Sequence, residues 1–140
     1  MLGRAAIAAL IPHQGAMCLL ERVVSWDAAG IACESATHLD LANPLRHGGR
    51  LGTVCGAEYG LQAAALHGAL VGGGIRQPPG ALAALRGVVC HVPRLDDPAL
   101  GILRIEAWGE GADAAGLRYR FRLTAASGIA VLEGTGLVAL

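Results

Sequence analysis

The sequence predicts an α+β fold in which an antiparallel sheet curls around one buried helix, and three observations carry that expectation. From Thr53 to about Val71 the chain is rich in Ala and Leu, with Glu58, Tyr59, Gln62 and His67 as the clearly polar positions. Two strand-like segments precede this stretch and four follow it, with no second helix after it. Leu117 to Ala125 alternates apolar and polar residues cleanly, as a strand with one wet face does. A helix this apolar around its circumference must be covered on nearly every side, and at its length of roughly 27 Å it spans a small domain. A sheet of five or six strands is expected to do the covering.

Each element has its own signal. Met1 to Ile11 reads as a lead-in helix stopped before Pro12, because the residue preceding a proline is pushed out of the helical region. Met17 to Trp26 is apolar and β-branched enough for a strand. Asp27 to Gly30 is a turn, and Ile31 to His38 its hairpin partner. Asn43-Pro44 and Gly48-Gly49 make 39–50 a loop. Gly72-Gly73-Gly74 ends the helix, and Gln77 to Gly80 forms a Pro-rich loop. Ala81 to Val92, Leu100 to Gly109, Leu117 to Ala125 and Ile129 to Leu140 are the later strands, the last two joined by a tight hairpin at Ser127-Gly128. The 140 residues make one domain without linker or internal repeat.

Composition narrows the function classes. Acidic and basic residues balance at eleven each, which excludes a nucleic-acid binder relying on excess Lys and Arg. Mean hydropathy is +0.49, yet no apolar run approaches the roughly 18 residues needed to span a membrane. The apolar excess therefore predicts an obligate oligomer. The N-terminal stretch lacks the cleavage pattern of an export signal, so a cytoplasmic protein is expected, with Cys18, Cys33, Cys55 and Cys90 as reduced thiols. Their scattered spacing contains no C-x-x-C pair and indicates neither zinc nor a disulfide framework; no cofactor is called for.

Two segments resemble a known family. Ile11-Pro12-His13-Gln14-Gly15-Ala16-Met17-Cys18-Leu19-Leu20-Glu21-Arg22-Val23 is similar to the L-P-H-R-Y-P-F-L-L-V-D-R-V opening of the bacterial 3-hydroxyacyl-ACP dehydratases of fatty-acid synthesis. Glu58-Tyr59-Gly60-Leu61-Gln62-Ala63 resembles the E-A-M-A-Q-A of their central helix, and Val92 to Glu106 has the shape of their strand, Pro/Asp/Gly turn and L-x-I-E strand. The wording around Glu58 looks closer still to dehydratase-like subunits of aryl polyene and related pigment gene clusters. The resemblance implies a hot-dog fold, an acyl carrier protein or CoA thioester as substrate carrier, and a homo-oligomer or a hetero-oligomer with another hot-dog subunit.

It also implies residue roles. In that family a histidine removes the α-proton of the thioester, and a carboxyl on the partner's helix protonates the departing β-hydroxyl, since the α-proton is weakly acidic and hydroxide leaves poorly. Glu58 maps onto the helix acid; burial among apolar neighbours is expected to raise its pKa and keep part of it protonated. Gly52 maps approximately onto the glycine whose backbone region polarises the thioester carbonyl. The family's histidine lies about fourteen residues before the acid, which here reaches Pro44; the nearest histidine is His47, eleven before Glu58.

Each of these residues also has a plainer reading. Glu58 sits in an apolar helix, where a lone carboxylate is costly unless it is paired or put to use, but a solvent-facing helix edge would also hold it. Gln62, one turn on, lines the site or bonds a loop. His47, flanked by glycines, is either catalytic or simply exposed. His13, the L-P-H histidine, reads as structural or at the pocket edge. His67 faces away from Glu58 and reads as a satisfied core histidine, Tyr59 as packing, and Arg118, Arg120 and Arg122 as a solvated strand face or a steering surface for an acidic carrier. Four functions stay open: a dehydratase using Glu58 and His47, a subunit whose partner supplies the histidine, an acyl thioesterase, and a non-catalytic acyl-binding subunit.

Overall fold

The computed structural model describes residues 2–74, 81–113 and 116–139. The Pro-rich loop expected at Gln77 to Gly80 and the terminal Leu140 lie outside them. A two-residue strand β1 (Leu2–Gly3) leads into helix α1 (Arg4–Leu10), then β2 (Arg22–Trp26), β3 (Gly30–Ser35), helix α2 (Gly56–Val71), β4 (Ala81–Cys90), β5 (Leu103–Asp113), β6 (Gly116–Thr124) and β7 (Ala130–Ala139). The strands form one antiparallel sheet in the order β1-β2-β3-β5-β6-β7-β4. Among the described residues it has seven strands, against the five or six expected, because Leu2 and Gly3 pair with Val23 and Arg22 before the first helix begins.

The sheet bends around α2, of whose sixteen residues ten are buried. β6 shows why. Tyr119, Phe121 and Leu123 point inward and are buried, while Arg118, Arg120 and Arg122 point out, the alternation a half-wet strand requires. Against these inward side chains the helix offers small residues at four-residue steps. A Cβ on Gly56 would stand 3.0 Å from Leu123, Gly68 lies under the Tyr119 hydroxyl, and a Cβ on Gly60 would overlap the Phe121 ring. Residues spaced by four share one helical face, so the stripe lets helix and sheet approach closely. Beyond Val71 the chain turns through Gly73 and Gly74 at φ +89 and +77, a left-handed exit that glycine adopts without strain.

His67 is the satisfied core histidine the sequence suggests. Its Nε2 donates to the Asp27 carbonyl at 2.8 Å, so Nδ1 is left to accept from the Tyr119 hydroxyl at 2.9 Å. The bond ties the β2–β3 turn to the far end of α2.

One expected strand is shorter than its composition implies. Gly15–Met17 forms a single 3-10 turn, and β2 starts only at Arg22. Cys18, Leu19 and Leu20 are instead drawn into the core, where apolar burial outweighs strand pairing. The fully buried Gln62 fixes this segment to α2, accepting from Leu19 N–H at 2.9 Å and donating to the Met17 carbonyl at 2.7 Å.

Candidate active site

α2 begins after a 3-10 turn, Thr53–Cys55, and carries Glu58 in its first turn. The positive end of the helix dipole favours a carboxylate there. The segment that meets it comes from the N-terminus. After α1, Ile11 is buried and its N–H bonds the Ile7 carbonyl at 3.2 Å; Pro12 prevents the helix from continuing. Gln14 reaches back to the Ala8 carbonyl at 3.2 Å. The resulting corner sets His13 Nε2 at 3.0 Å from Glu58 Oε1, with the two side chains 27% and 30% exposed. Gln62 Nε2 reaches the same carboxylate oxygen at 3.3 Å. One glutamine therefore holds both Glu58 and the segment that follows His13.

These neighbours reverse the pKa expected from burial alone. Burial pushes the Glu58 carboxyl up, but the hydrogen bonds from His13 and Gln62, with the charge of His13, bring it below its ordinary value. Glu58 therefore rests as a carboxylate accepting from His13 Nε2–H. The buried Nδ1 of His13 has no hydrogen-bond partner among the described residues. A histidine oriented by a carboxylate, sharing one proton with it, is an acid–base pair.

The other candidate residues are placed as follows. Gln62 belongs to the pair, as described. Gly52 lies at the entry to α2 in an extended conformation, φ −66 and ψ 149, and forms a β-bridge with Arg94. His47 is not brought to Glu58: it is exposed, and its backbone closes a turn with Arg50 at 2.8 and 3.2 Å around Gly48 and Gly49. The histidine at Glu58 is His13, forty-five positions before it, which the sequence sets as structural or at the pocket edge.

Two further groups escape sequence reasoning. Asp96 is buried and takes Arg94 at 2.7 and 2.8 Å and Arg46 at 3.0 Å, fastening the loop before α2 to the stretch after β4. The Arg94 hydrogen bond, working against burial, holds its carboxyl well below the usual range. A buried polar cluster of Ser35, Thr37, Asn43 and the Tyr59 hydroxyl adjoins Leu19. No spacing rule joins residues so far apart in the chain.

A recess of about 670 Å³ lies on the outer face of the sheet, lined by Trp108, Glu110, Arg120, Arg122, Glu133 and Thr135 among others. It shares no residue with the Glu58–His13 pair, and its Arg122 and Glu133 face each other at 3.6 Å. Among the described residues no three His, Cys, Asp or Glu side chains cluster to hold a metal ion, and no helix is long and apolar enough to cross a membrane.

A curled antiparallel sheet around a central helix defines a hot-dog protein, here with a carboxylate–histidine pair at the helix start. The chain belongs to the ApeP-like family, described as ApeP dehydratase, whose family model matches residues 5–130. No curated protein matches the sequence. Among solved structures, the dehydratase heterocomplex ApeI:P from Xenorhabdus doucetiae superposes with a TM-score of 0.79 at 20% identity, covering 95% of this chain and 89% of that one. Zebra fish thioesterase superfamily member 2 gives 0.66 at 15% identity, covering 100% and 99%. AziG of S. sahachiroi gives 0.58 at 16% identity, covering 85% and 91%. At these identities the likeness is one of fold.

Proposed function

We propose that this chain dehydrates 3-hydroxyacyl thioesters, with Glu58 and His13 as the acid–base pair, and that it works beside a second hot-dog subunit. The observation that carries the reading is the 3.0 Å contact between His13 Nε2 and Glu58 Oε1. Elimination of water breaks a C–H bond at the α-carbon and a C–O bond at the β-carbon. One group must take a proton and another must give one. A pair sharing a single mobile proton does both: as the α-proton arrives on one partner, the shared proton departs with the β-hydroxyl from the other, and the net charge of the pair is unchanged. Because Glu58 rests ionised, its acid role begins when it takes the Nε2 proton of His13 as Nδ1 of the same ring receives the α-proton, which leaves the imidazole neutral and lets Glu58 pass its proton to the departing hydroxyl. Enolate charge developing at the thioester carbonyl is met by the positive end of α2 near Gly52.

The substrate carrier proposed is an acyl carrier protein or CoA thioester, and the pathway aryl polyene or related lipid synthesis, in line with the family. The partner is supported by β4, which lies at the sheet edge, pairs only with β7 among the described strands, and exposes Leu85 and Val89. A long apolar edge is a template for another strand. The fit of a heterocomplex from the same fold agrees with it.

A second reading, acyl thioester hydrolysis, draws on one observation: a carboxylate kept ionised at a helix start is suited to activating water. A single assay separates the two. The chain, alone and with a hot-dog partner, is given a 3-hydroxyacyl carrier-protein thioester and the products are weighed by mass spectrometry. Loss of one water from the bound chain is expected, falling on the order of 10²–10⁴-fold in both Glu58→Gln and His13→Ala and persisting in His47→Ala. Full dehydration by Glu58→Gln would discard the reading. Release of the acyl group in place of dehydration would establish the hydrolase.

A further inference from the structure

We infer that Tyr59 is a positioning residue for the acid–base pair, its buried hydroxyl locking the helix turn that bears Glu58 to the segment that bears His13. The inference rests on the proposed role of that pair and extends it to Tyr59, Thr37 and Asn43, to which the resemblance assigns no role. Tyr59 follows Glu58 directly in the chain and is fully buried. Its hydroxyl lies 2.8 Å from Thr37 Oγ1 and 3.1 Å from Asn43 Nδ2. Thr37 Oγ1 donates in turn to the Leu19 carbonyl at 2.7 Å, and Ser35 Oγ donates to the same carbonyl at 2.6 Å. The Leu19 N–H goes to Gln62 Oε1 at 2.9 Å, and Gln62 Nε2 to Glu58 at 3.3 Å.

The donor directions are consistent along this path. An amide N–H can only donate, so Asn43 gives to the Tyr59 oxygen. The Tyr59 proton then goes to Thr37, whose own proton is committed to Leu19. Two routes thus run from α2 to the peptide groups of Leu19, one through Tyr59 and Thr37 and the other through Gln62. With Gln62 also on the Met17 carbonyl, the stretch after His13 is held from both sides. The two routes meet at Leu19 through its Cα, so the link fixes geometry and passes no charge. Burial pushes the Tyr59 hydroxyl up to about 12, so it keeps its proton at neutral pH and acts by holding.

The same hydroxyl also roots the loop. Asn43 donates to the Thr37 carbonyl at 2.9 Å and accepts from Leu45 N–H at 2.9 Å, so its bond to Tyr59 ties the 40–47 loop to the helix turn of Glu58. Loop, His13 segment and helix are therefore registered against one phenol oxygen. Removing it loosens a 3.0 Å contact without deleting either reacting group.

The test compares Tyr59→Phe, Thr37→Val and Thr37→Ser with wild type on a 3-hydroxyacyl thioester, together with NMR titration of the His13 imidazole in the ligand-free protein. Tyr59→Phe and Thr37→Val are expected to lower kcat on the order of 10–100-fold, to leave KM within about twofold, and to move the His13 titration. Thr37→Ser restores the hydroxyl and is expected to keep wild-type values in both readouts. Should Tyr59→Phe not fold, the Thr37 pair reads the same link. An unchanged kcat and an unchanged His13 titration in Tyr59→Phe would overturn the inference, as would equal losses in Thr37→Ser and Thr37→Val. If wild type fails to dehydrate, the catalytic reading falls, but the His13 titration still decides whether Tyr59 sets its surroundings.

Discussion

His38 sits in the 3-10 turn Thr37–Leu39 that follows β3, with no exposed surface, and neither ring nitrogen has a hydrogen-bond partner of standard geometry among the described residues. Burial lowers its pKa from 6.5, opposed by the Gly101 backbone and by Glu21 and Asp96 nearby. Above that value both folded and unfolded chains carry it neutral, so it adds no pH dependence. Below it the unfolded chain binds a proton that the folded chain refuses, and stability falls as pH drops through that window. Glu58 and Asp96 are shifted down as well, so what they contribute is lost at more acid pH, as it falls from the ordinary carboxyl range toward their lowered values. Denaturant melts between about pH 7.5 and 5.5 should show wild type weakening, and His38→Leu losing less. Equal slopes in both proteins would assign the effect elsewhere. At this scale the sequence marks Glu58 because a carboxylate stands out in an apolar helix, and His67 because its face is predictable. It offers His47 beside Glu58 and sets His13 only as structural or at the pocket edge, because no periodicity connects positions 13 and 58. The contact depends on a corner at Pro12 and on Gln62 holding the turn behind it. The reversed pKa of Glu58 follows from the same contact.

Elements whose signal is local are the ones legible in advance. Alternation in β6 assigns Tyr119, Phe121 and Leu123 to the core and the arginines to solvent, and the glycines after Val71 end α2 where expected. β2 is less legible because the apolar run that begins at Met17 serves two purposes, core filling up to Leu20 and strand pairing from Arg22. Burial of α2 is readable from its composition, whereas the glycine stripe that sets its depth is visible only against the sheet. That depth is testable. Gly60→Ala places a methyl group into the Phe121 ring and is expected to cost about 1–3 kcal/mol by overpacking. Gly52→Ala meets no atom within 4 Å and keeps an allowed φ of −66, so it should leave the melting temperature unchanged. A fall in turnover for Gly52→Ala at constant stability then reports close approach of substrate to that backbone. Equal stability of Gly60→Ala and wild type would show that helix and sheet have slack.

At the scale of the whole molecule, the apolar excess in the composition and the sheet edge at β4, which pairs only with β7 among the described strands, point to the same need. The core takes up most of the large apolar side chains, yet Leu85 is 38% and Val89 46% exposed on β4, with Cys90 also at the surface. A ten-residue strand whose outer ladder has no partner strand among the described residues is an unstable surface to leave in water, because unpaired N–H and C=O groups invite any strand while apolar side chains favour burial. Association through this edge satisfies both terms at once. A lysine placed there adds a charge that a paired strand must desolvate, while the solvated monomer tolerates it. Leu85→Lys and Val89→Lys should therefore shift the protein, or its complex with a hot-dog partner, toward monomer in light scattering at micromolar concentration, with the circular dichroism of the folded chain retained. Arg120→Glu, on the outer face of the sheet within the recess, serves as the control for charge alone and should leave the mass unchanged. An assembly that survives both lysines but dissociates in the control would place the interface on the outer face and leave β4 as a free edge.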